Sequence, residues 1–456
     1  MRDSLPKEGV GIRHRAHILG CAPSQVNAGN MLRVKQLTGT YQSFGSSIYG
    51  THAAPSTASC ISPVSNCRKR CEMRGTRRER TLRHRLGREM NRRMKVVIAF
   101  CALVCVPAFA QTSNETSAKT TPINGPTVLA LDHQGHLFVV EAEEQRVLRI
   151  DLRRGTIRTV AGNRKDCCYS SGRPATKVGL SYVTALAVDP HGNLLIAEWE
   201  QVLRVDAHTG LISTVAGTGT SGKTTEGSPA LTARFDQISG LAVDSGGNLF
   251  ISDAGQSRIF KVTTATGIVS KVAGNGKTGF GGDGGPATDA SFGYSGAIAL
   301  DATGNVFVSD TENCRIRRID IATGIIDTIA QTGGPDENCP SQTGRIPYQP
   351  SPSDPAVDSR GNVYFVQGSE DVVARVGPDP RKQSIIAGTG ERGFGGDGGA
   401  ATGAKLANPS GLAVDSEGNL FISEFVNNRI RRVDAKTGTI TTAAGNGLPH
   451  RFDLEM

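Results

Sequence analysis

Five acidic side chains occupy the same position of a repeated pattern, each at the end of a short apolar run. They are Glu141, Glu198, Asp253, Asp310 and Glu424, and Gln367 takes the same position in the fifth copy. Five carboxylates on one surface would suit a cation. However, an arginine follows four of the acids after five residues (Arg146, Arg258, Arg315 and Arg429). An acid and a base that flank a hairpin loop most simply pair with each other. We therefore interpret the set as structural, with a cation site as the alternative.

Two glycine-rich segments each carry one phenylalanine and one aspartate: Phe280 with Asp283 in residues 274–288, and Phe394 with Asp397 in residues 388–402. One aspartate per loop falls short of a calcium loop, which places several oxygen ligands close together. No P-loop lysine follows that would hold a phosphate. We expect each loop to fold over its neighbour, with phenylalanine filling the gap and aspartate capping glycine-rich turns. Ligand or calcium binding by Asp283 and Asp397 is the alternative.

Aromatic side chains in exposed loops are enriched at recognition hot spots. Trp199, the only tryptophan of the chain, follows Glu198, and Phe425 takes the matching position in the last copy. The predicted binding residues are therefore Trp199, Glu198, Phe280, Asp283, Phe394, Asp397 and Phe425. The predicted ligand is a protein or a glycan.

Catalytic patterns are missing from the sequence beyond residue 110. Its histidines are scattered over predicted turns: His133, His136, His191, His208 and His450. No Ser/His/Asp or Cys/His pairing stands out. We predict no catalytic residue, no resident metal and no cofactor. A metal-assisted lyase or lactonase is the alternative function.

Six copies of one pattern must position these side chains. An apolar run, Asp, two residues, Gly and a second apolar run recur every 55 to 57 residues, anchored at Asp132, Asp189, Asp244, Asp301, Asp358 and Asp415. Each copy predicts four short strands, and no stretch shows the apolar period of a helix. The Asp and the following Gly suit a tight hairpin turn, because Gly adopts positive φ and Asp bonds the turn backbone.

Four antiparallel strands per copy predict an all-β fold, and the uniformly apolar terminal copies favour a closed ring over a capped solenoid. We expect a six-bladed β-propeller over residues 127–447, with a linker at 111–126 and a tail at 448–456. Closure by a strand shared between the termini is compatible with the pattern but not required. The loop after the second strand and the loop between blades would then share one face.

The third copy (Gly240–Val262) and the fourth (Ala297–Asp320) closely resemble the repeats of the NHL family of β-propellers. The Gly-Asp-Gly-Gly-Pro-Ala-Thr segment is similar to inserts of bacterial secreted NHL proteins and teneurin-like adhesion proteins. The resemblance implies the fold. It implies much less about activity, since the family includes sensors, adhesion modules, RNA-binding domains and a few lyases. An NHL-type amidating lyase uses a histidine-bound metal, which these scattered histidines do not match.

Residues 94–110 combine a basic start, a short apolar core and a small-residue site, which is typical of a secretory signal peptide cleaved between Ala110 and Gln111. We therefore predict a secreted or periplasmic protein without a stable membrane anchor. Residues 1–93 precede this signal and are interpreted as an over-extended reading frame or a disordered basic leader. Residues 1–95 carry a net charge of +14 and the remainder −5, which argues against nucleic-acid binding by the propeller.

Four of the ten cysteines lie beyond residue 110: Cys167, Cys168, Cys314 and Cys339. Repeat alignment places Cys314 and Cys339 in loops of the same face, so a disulfide between them is expected in an oxidising compartment. Adjacent Cys167 and Cys168 are either free thiols or a strained vicinal pair.

Overall fold

A computed structural model of the chain describes residues 115–164, 171–332, 353–367, 370–380 and 382–448. They belong to a compact unit that spans Leu103–Met456, whereas a second unit, Met1–Ala102, lies outside the described residues. The predicted leader, signal peptide and Ala110/Gln111 cleavage site also lie outside them, as do Cys167, Cys168 and Cys339. No helix in the described part has the length and apolar character needed to cross a bilayer.

The fold is all-β, as predicted. The strands of the first half are β1 Thr116–Ser117, β2 Pro126–Leu131, β3 His136–Glu141, β4 Arg146–Asp151, β5 Thr156–Ala161, β6 Ala185–Val188, β7 Leu194–Glu198, β8 Gln201–Val205, β9 Ile212–Ala216, β10 Ile238–Val243, β11 Leu249–Asp253, β12 Arg258–Thr263 and β13 Ile268–Ala273. Those of the second half are β14 Gly285–Pro286, β15 Ser295–Leu300, β16 Val306–Asp310, β17 Arg315–Ile319, β18 Ile325–Gln331, β19 Ser353–Val357, β20 Val363–Gln367, β21 Val372–Val376, β22 Gln383–Ala387, β23 Pro409–Val414, β24 Leu420–Glu424, β25 Arg429–Val433 and β26 Ile440–Ala444. Described 3-10 turns lie at Ala142–Glu144, Ala175–Lys177, Ala230–Thr232, Ala287–Asp289, Thr311–Asn313 and Ala401–Gly403.

Six antiparallel sheets confirm the six-bladed propeller. The blades are β2–β5, β6–β9, β10–β13, β15–β18, β19–β22 and β23–β26. Two sheets differ from the predicted four strands, because β1 pairs with β5 and β14 pairs with β18 at the outer edges of blades one and four. These two-residue strands cover outer edges that would otherwise expose unpaired backbone groups.

The repeated Asp and Gly residues build the turn between the first and second strands of each blade, as predicted. In blade four, the Asp301 carboxylate accepts hydrogen bonds from the Thr303 and Asn305 backbone N–H groups at 2.9 and 3.0 Å. Gly304 adopts φ +89° and donates its N–H to the Asp301 carbonyl at 3.0 Å. The turn therefore satisfies its own polar groups, which explains the Asp–Gly spacing in every copy.

Neighbouring blades bury their apolar faces against each other. Phe250 of blade three packs in one cluster with Phe292 and Val306 of blade four. Another cluster joins Leu137 of blade one to Phe421 of blade six. The last blade therefore packs on the first in the same way as any adjacent pair, and the ring is closed.

The N-terminal segment completes this closure. Ala118 and Ile123 are fully buried, although the sequence predicted a linker at 111–126. The Ala118 carbonyl accepts the Gly445 N–H at 2.9 Å, just as the Ala287 carbonyl accepts the Gly274 N–H between blades three and four. Residues 115–124 thus act as the strap that interblade loops supply elsewhere. No strand is exchanged between the described terminal blades, since the four central strands of each are contiguous.

A substitution at Gly411 tests how tightly blade six packs against blade one. A Cβ atom there would lie 2.2 Å from the Thr127 carbonyl oxygen. We expect Gly411→Ala to lower the free energy of unfolding by about 1–3 kcal/mol, because overpacking forces backbone shifts. Gly403→Ala is the matched control, since nothing lies within 4 Å of its new Cβ, and its effect should stay within about 0.5 kcal/mol. Equal midpoints in denaturant unfolding would contradict the proposed tight closure.

Candidate functional site

One face of the propeller carries both the loops between the second and third strands and the loops between blades; we refer to it as the loop face. The two loop sets contact each other directly. Asn313 donates its side-chain amide to the Gly279 carbonyl at 3.0 Å, and Asn427 donates to Gly393 at 2.8 Å. The structure therefore confirms the prediction that the two sets of loops lie on one face.

The repeated carboxylates hold the interblade loops. Each accepts a backbone N–H from the residue 17 positions earlier: Glu141 from Asn124, Glu198 from Ser181, Asp253 from Asp236, Asp310 from Gly293 and Glu424 from Ala407. These distances lie between 2.7 and 3.1 Å. Five acids bound to backbone donors are anchors of the incoming chain. This supports the structural interpretation of the set.

The expected pairing of these acids with arginines holds in blade one, where Arg146 contacts Glu141. It is wrong in blades four and six. There, the Asp310 and Glu424 carboxylates pair with Arg317 and Arg431, each at 3.3 Å. These arginines lie two residues further along the third strand than predicted. In blade three, Arg258 donates to the Asn275 carbonyl.

A buried arginine explains the first glycine-rich loop. Arg317 is fully buried, and its guanidinium donates to the Asp283 carboxylate at 3.0 and 2.6 Å. The other Asp283 oxygen accepts the Thr328 N–H and hydroxyl at 3.1 and 2.6 Å. Asp283 therefore fastens the loop to the outer strands of blade four, and its carboxylate oxygens are occupied by protein donors.

The second glycine-rich loop repeats this arrangement in blade six. Fully buried Arg431 donates to Asp397 at 2.6 Å, and the Thr442 hydroxyl donates to the other oxygen of Asp397 at 2.6 Å. Burial raises the pKa of Glu424 and of Asp310 above the ordinary range, while the adjacent arginine opposes this shift in each blade. The two loops therefore form equivalent straps.

The phenylalanines of these loops do not fill interblade gaps, contrary to the sequence-based expectation. Phe280 and Phe394 are 47% and 46% exposed. Each ring lies under a guanidinium, with Arg315 4.0 Å from the Phe280 centroid and Arg429 3.9 Å from that of Phe394. The gap is filled by neighbouring residues such as Phe292, which is fully buried. Stacking on arginine orients both exposed rings.

Trp199 lies on the short loop between β7 and β8 and is 40% exposed. Tyr182, which the sequence analysis missed, packs against it with ring centroids 5.6 Å apart and is 67% exposed. Glu198 is buried and accepts hydrogen bonds from the Ser181 N–H at 2.8 Å and the Gln201 side chain at 2.7 Å. Glu198 thus positions the two loops that carry the aromatic pair.

Glu200 follows Trp199 directly in the chain and lies near two further acids. Burial raises the pKa of Glu200, and the nearby carboxylates of Glu198 and Asp236 add to the shift. The surroundings of Trp199 are therefore electronegative. Phe425, in contrast, is half-buried and lies against Gly125, where a Cβ atom would come within 2.8 Å of its ring. It helps to pack the junction of blades six and one.

The remaining predicted residues are dispersed. Among the described residues, no group of three or more His, Cys, Asp or Glu side chains is arranged to hold a metal ion. His136 bonds the Asp132 carboxylate at 2.6 Å within its own hairpin turn. Cys314 is disulfide-bonded, but its pairing with Cys339 stays a prediction because Cys339 lies outside the described residues.

A pocket of about 280 Å³ opens at the centre of the loop face, where the first strands of all six blades begin. Its wall combines hydroxyl side chains, such as Thr127, Ser239 and Ser410, with the carboxylate of Asp354. A smaller cavity of about 50 Å³ continues below it along the axis. The sequence analysis did not identify Asp354, although an acid replaces the small or apolar residue at this point of the repeat only in blade five.

Comparisons with known proteins agree with this architecture. A family profile described as the teneurin NHL domain matches residues 88–209. Protein SUPPRESSOR OF QUENCHING 1, chloroplastic, from Arabidopsis thaliana is 25% identical over 361 residues, which cover 73% of this chain and 32% of that protein. Teneurin-1 from Mus musculus is 25% identical over 225 residues, which cover 44% of this chain and 8% of teneurin-1. The chain thus spans a third or less of the length of either relative.

Solved structures with related folds include a streptogramin B lyase, with a TM-score of 0.44 and 14% identity over 72% of this chain and 86% of the lyase. An auxiliary nutrient binding protein from Bacteroides thetaiotaomicron has a TM-score of 0.48 and 16% identity over 71% of this chain and 70% of that protein. Similarity at this level does not bear on activity.

A substitution at Asp283 tests whether this side chain fastens the first glycine-rich loop to blade four. We expect Asp283→Ala to lower the free energy of unfolding by about 2 kcal/mol, because buried Arg317 loses one of its two acidic partners. Asp289→Ala, which removes an exposed acid of the same loop, should change stability by less than about 0.5 kcal/mol. Chemical denaturation measures both. Stabilisation of the wild type, but not of Asp283→Ala, by added calcium would instead assign Asp283 to ligand binding.

Proposed function

We propose that this NHL-repeat β-propeller is a non-catalytic binding module that recognises an extracytoplasmic protein or glycan on its loop face. The observation that carries the proposal is the exposed aromatic pair of Tyr182 and Trp199, held in place from below by buried Glu198. Rigid aromatic side chains provide contact area at a low cost in conformational entropy, which is why they dominate recognition hot spots. The Trp199 carbonyl also accepts the Ile238 N–H at 2.8 Å, which fixes this loop to the next blade.

The charge around the pair favours a ligand with basic groups. Glu198 and Glu200 flank Trp199 in the chain, and repulsion from Glu198 and Asp236 adds to the effect of burial in raising the pKa of Glu200. A basic side chain of the ligand would relieve that repulsion, and an apolar or sugar ring would stack on Trp199 or Tyr182. The arginine-stacked rings of Phe280 and Phe394 extend the face with further exposed aromatic surface.

The catalytic alternative lacks a matching observation in the described residues. The carboxylates of Asp283 and Asp397 are bound to arginine and threonine, and the repeated acids anchor backbone N–H groups. Stoichiometric metal in the purified protein, together with turnover in a panel of lactone and lyase substrates, would favour a metal-assisted lyase or lactonase instead.

Trp199 is the only tryptophan of the chain, so its fluorescence reports directly on this surface. We expect a ligand selected from peptide and glycan libraries to change the Trp199 emission on binding. Tyr182→Ala should weaken its affinity at least about 30-fold, the loss expected for a hot spot of ~2 kcal/mol.

Leu211→Ala is the matched control, because Leu211 is 40% exposed like Trp199 but lies in the turn at the other end of the same blade. The Leu211→Ala variant should bind the selected ligand with the same affinity as the wild type. A ligand that binds both variants equally well would show that recognition occurs elsewhere.

Export is a separate part of the proposal, supported by the sequence pattern of residues 94–110. N-terminal sequencing of the protein recovered from culture medium or periplasm should read from Gln111. Recovery of a cytoplasmic protein that retains residues 1–93 would contradict export.

A further inference from the structure

The axial pocket differs from the rest of the loop face because all six blades contribute to it. Its lining includes Thr127, Thr184, Ser239, Gly296, Asp354 and Ser410, one from each blade in chain order. The first strands converge here so closely that a Cβ atom on Gly240 would lie 2.8 Å from the Ile298 backbone nitrogen. Bulky or charged side chains are therefore not expected at this level of the ring.

Asp354 departs from that expectation. Its position lies four residues before the anchoring aspartate, where the other five blades carry Val128, Ala185, Gly240, Ala297 and Gly411. Its φ is +47°, a conformation that non-glycine residues rarely adopt. Asp354 has no hydrogen-bond or ion-pair partner among the described residues. A strained and unpartnered acid in a cavity is costly, and such features cluster at functional sites.

Among the described residues, no cationic side chain lines the pocket beside the Asp354 carboxylate. Burial alone raises its pKa to about 7. Tyr294 is the other titratable residue among the described residues that line the pocket, and its hydroxyl accepts a hydrogen bond from the Gln237 side chain at 3.2 Å. Within the part of the chain that the structure describes, the pocket therefore offers a cationic ligand an acid that no basic side chain pairs with.

Three serine hydroxyl groups that line the pocket donate their protons to backbone carbonyls. Ser239 donates its proton to the Ser295 carbonyl at 2.5 Å, Ser309 to the Ala297 carbonyl at 3.2 Å and Ser410 to the Pro126 carbonyl at 3.2 Å. A hydroxyl that donates to a backbone carbonyl retains lone pairs that accept hydrogen bonds. The pocket therefore presents acceptors and one carboxylate, which disfavours anions and suits a group that only donates.

We propose that the axial pocket is a small-molecule site that binds a primary ammonium group through Asp354. Three N–H donors and one positive charge match one carboxylate and a set of hydroxyl acceptors. Calcium requires six to eight oxygen ligands, commonly several carboxylates, and this pocket supplies one. The pocket volume of about 280 Å³ is also larger than a bare ion would fill. It leaves room for the alkyl or aromatic part of a ligand beside Val128, Ile238 and Pro409.

The probe is n-butylammonium, titrated into the full purified chain by calorimetry at pH 8, with 1-butanol as the neutral isostere and calcium chloride as the metal. We expect saturable binding of n-butylammonium and none of 1-butanol. Asp354→Asn should weaken binding at least tenfold, and asparagine tolerates positive φ, so the variant should fold. Asp289→Asn, an exposed acid outside the pocket, should bind like the wild type.

The wild type provides a second test that needs no variant. Binding requires ionised Asp354, while an alkylammonium stays charged throughout this range. The dissociation constant should fall about tenfold per pH unit between pH 5 and the pKa near 7, and level off above pH 8. Equal binding of 1-butanol, unchanged affinity in Asp354→Asn, a flat pH profile or binding of calcium alone would each overturn the proposal.

This proposal is separate from ligand recognition by Tyr182, on the loop between blades one and two, and Trp199, on the loop between β7 and β8 of blade two. If n-butylammonium failed to bind, the axial-pocket proposal would be wrong, but the proposal that Trp199 and Tyr182 recognise a ligand would not be affected. Conversely, Tyr182→Ala should leave the affinity for n-butylammonium unchanged.

Discussion

Burial of the apolar face of every blade against both of its neighbours is the constraint on which the structure depends. A four-stranded sheet of this size has two apolar faces, and a linear stack would leave one exposed at each end. The ring removes both ends, since Phe421 of blade six joins the core of blade one. Closure also brings the starts of the six first strands to one axis, and it gathers the described loops within and between blades on one face. The aromatic surface and the axial pocket both follow from this geometry.

Coverage of the outer edges is the second requirement, and it explains features that would otherwise suggest ligand binding. The glycine-rich loops run along the outer strand of the next blade, and buried Arg317 and Arg431 tie them down through Asp283 and Asp397. Residues 115–124 perform the same task at the junction of the chain ends. Polar residues that are conspicuous in the sequence are thus used for assembly, whereas the side chains of Asp354, Tyr182 and Trp199 form no such strap contact within the described residues.

The sequence alone predicted the blade number, the four main strands of each blade, the turn role of the anchoring Asp and Gly residues and the shared loop face, because each is set by a local pattern repeated six times. It could not predict which arginine pairs with Asp310, since that depends on the path of a loop 27 residues upstream. The exposure of Phe280, the partial burial of Phe425 and the contact of Tyr182 with Trp199 likewise depend on contacts between segments that are distant in the sequence. The spacing of 34 residues that separates Asp283 from Arg317 and Asp397 from Arg431 was a usable signal.

Native-state hydrogen exchange resolved by residue tests the closed ring most directly. If the ring closes through blades six and one, the amides of β2–β5 and β23–β26 should exchange only through the same global opening as those of the middle blades. The Gly445 amide, which donates to the Ala118 carbonyl, should share that protection apart from local fraying. Exchange of either terminal blade through a separate opening of much lower free energy, as in an open-ended repeat array, would contradict the account.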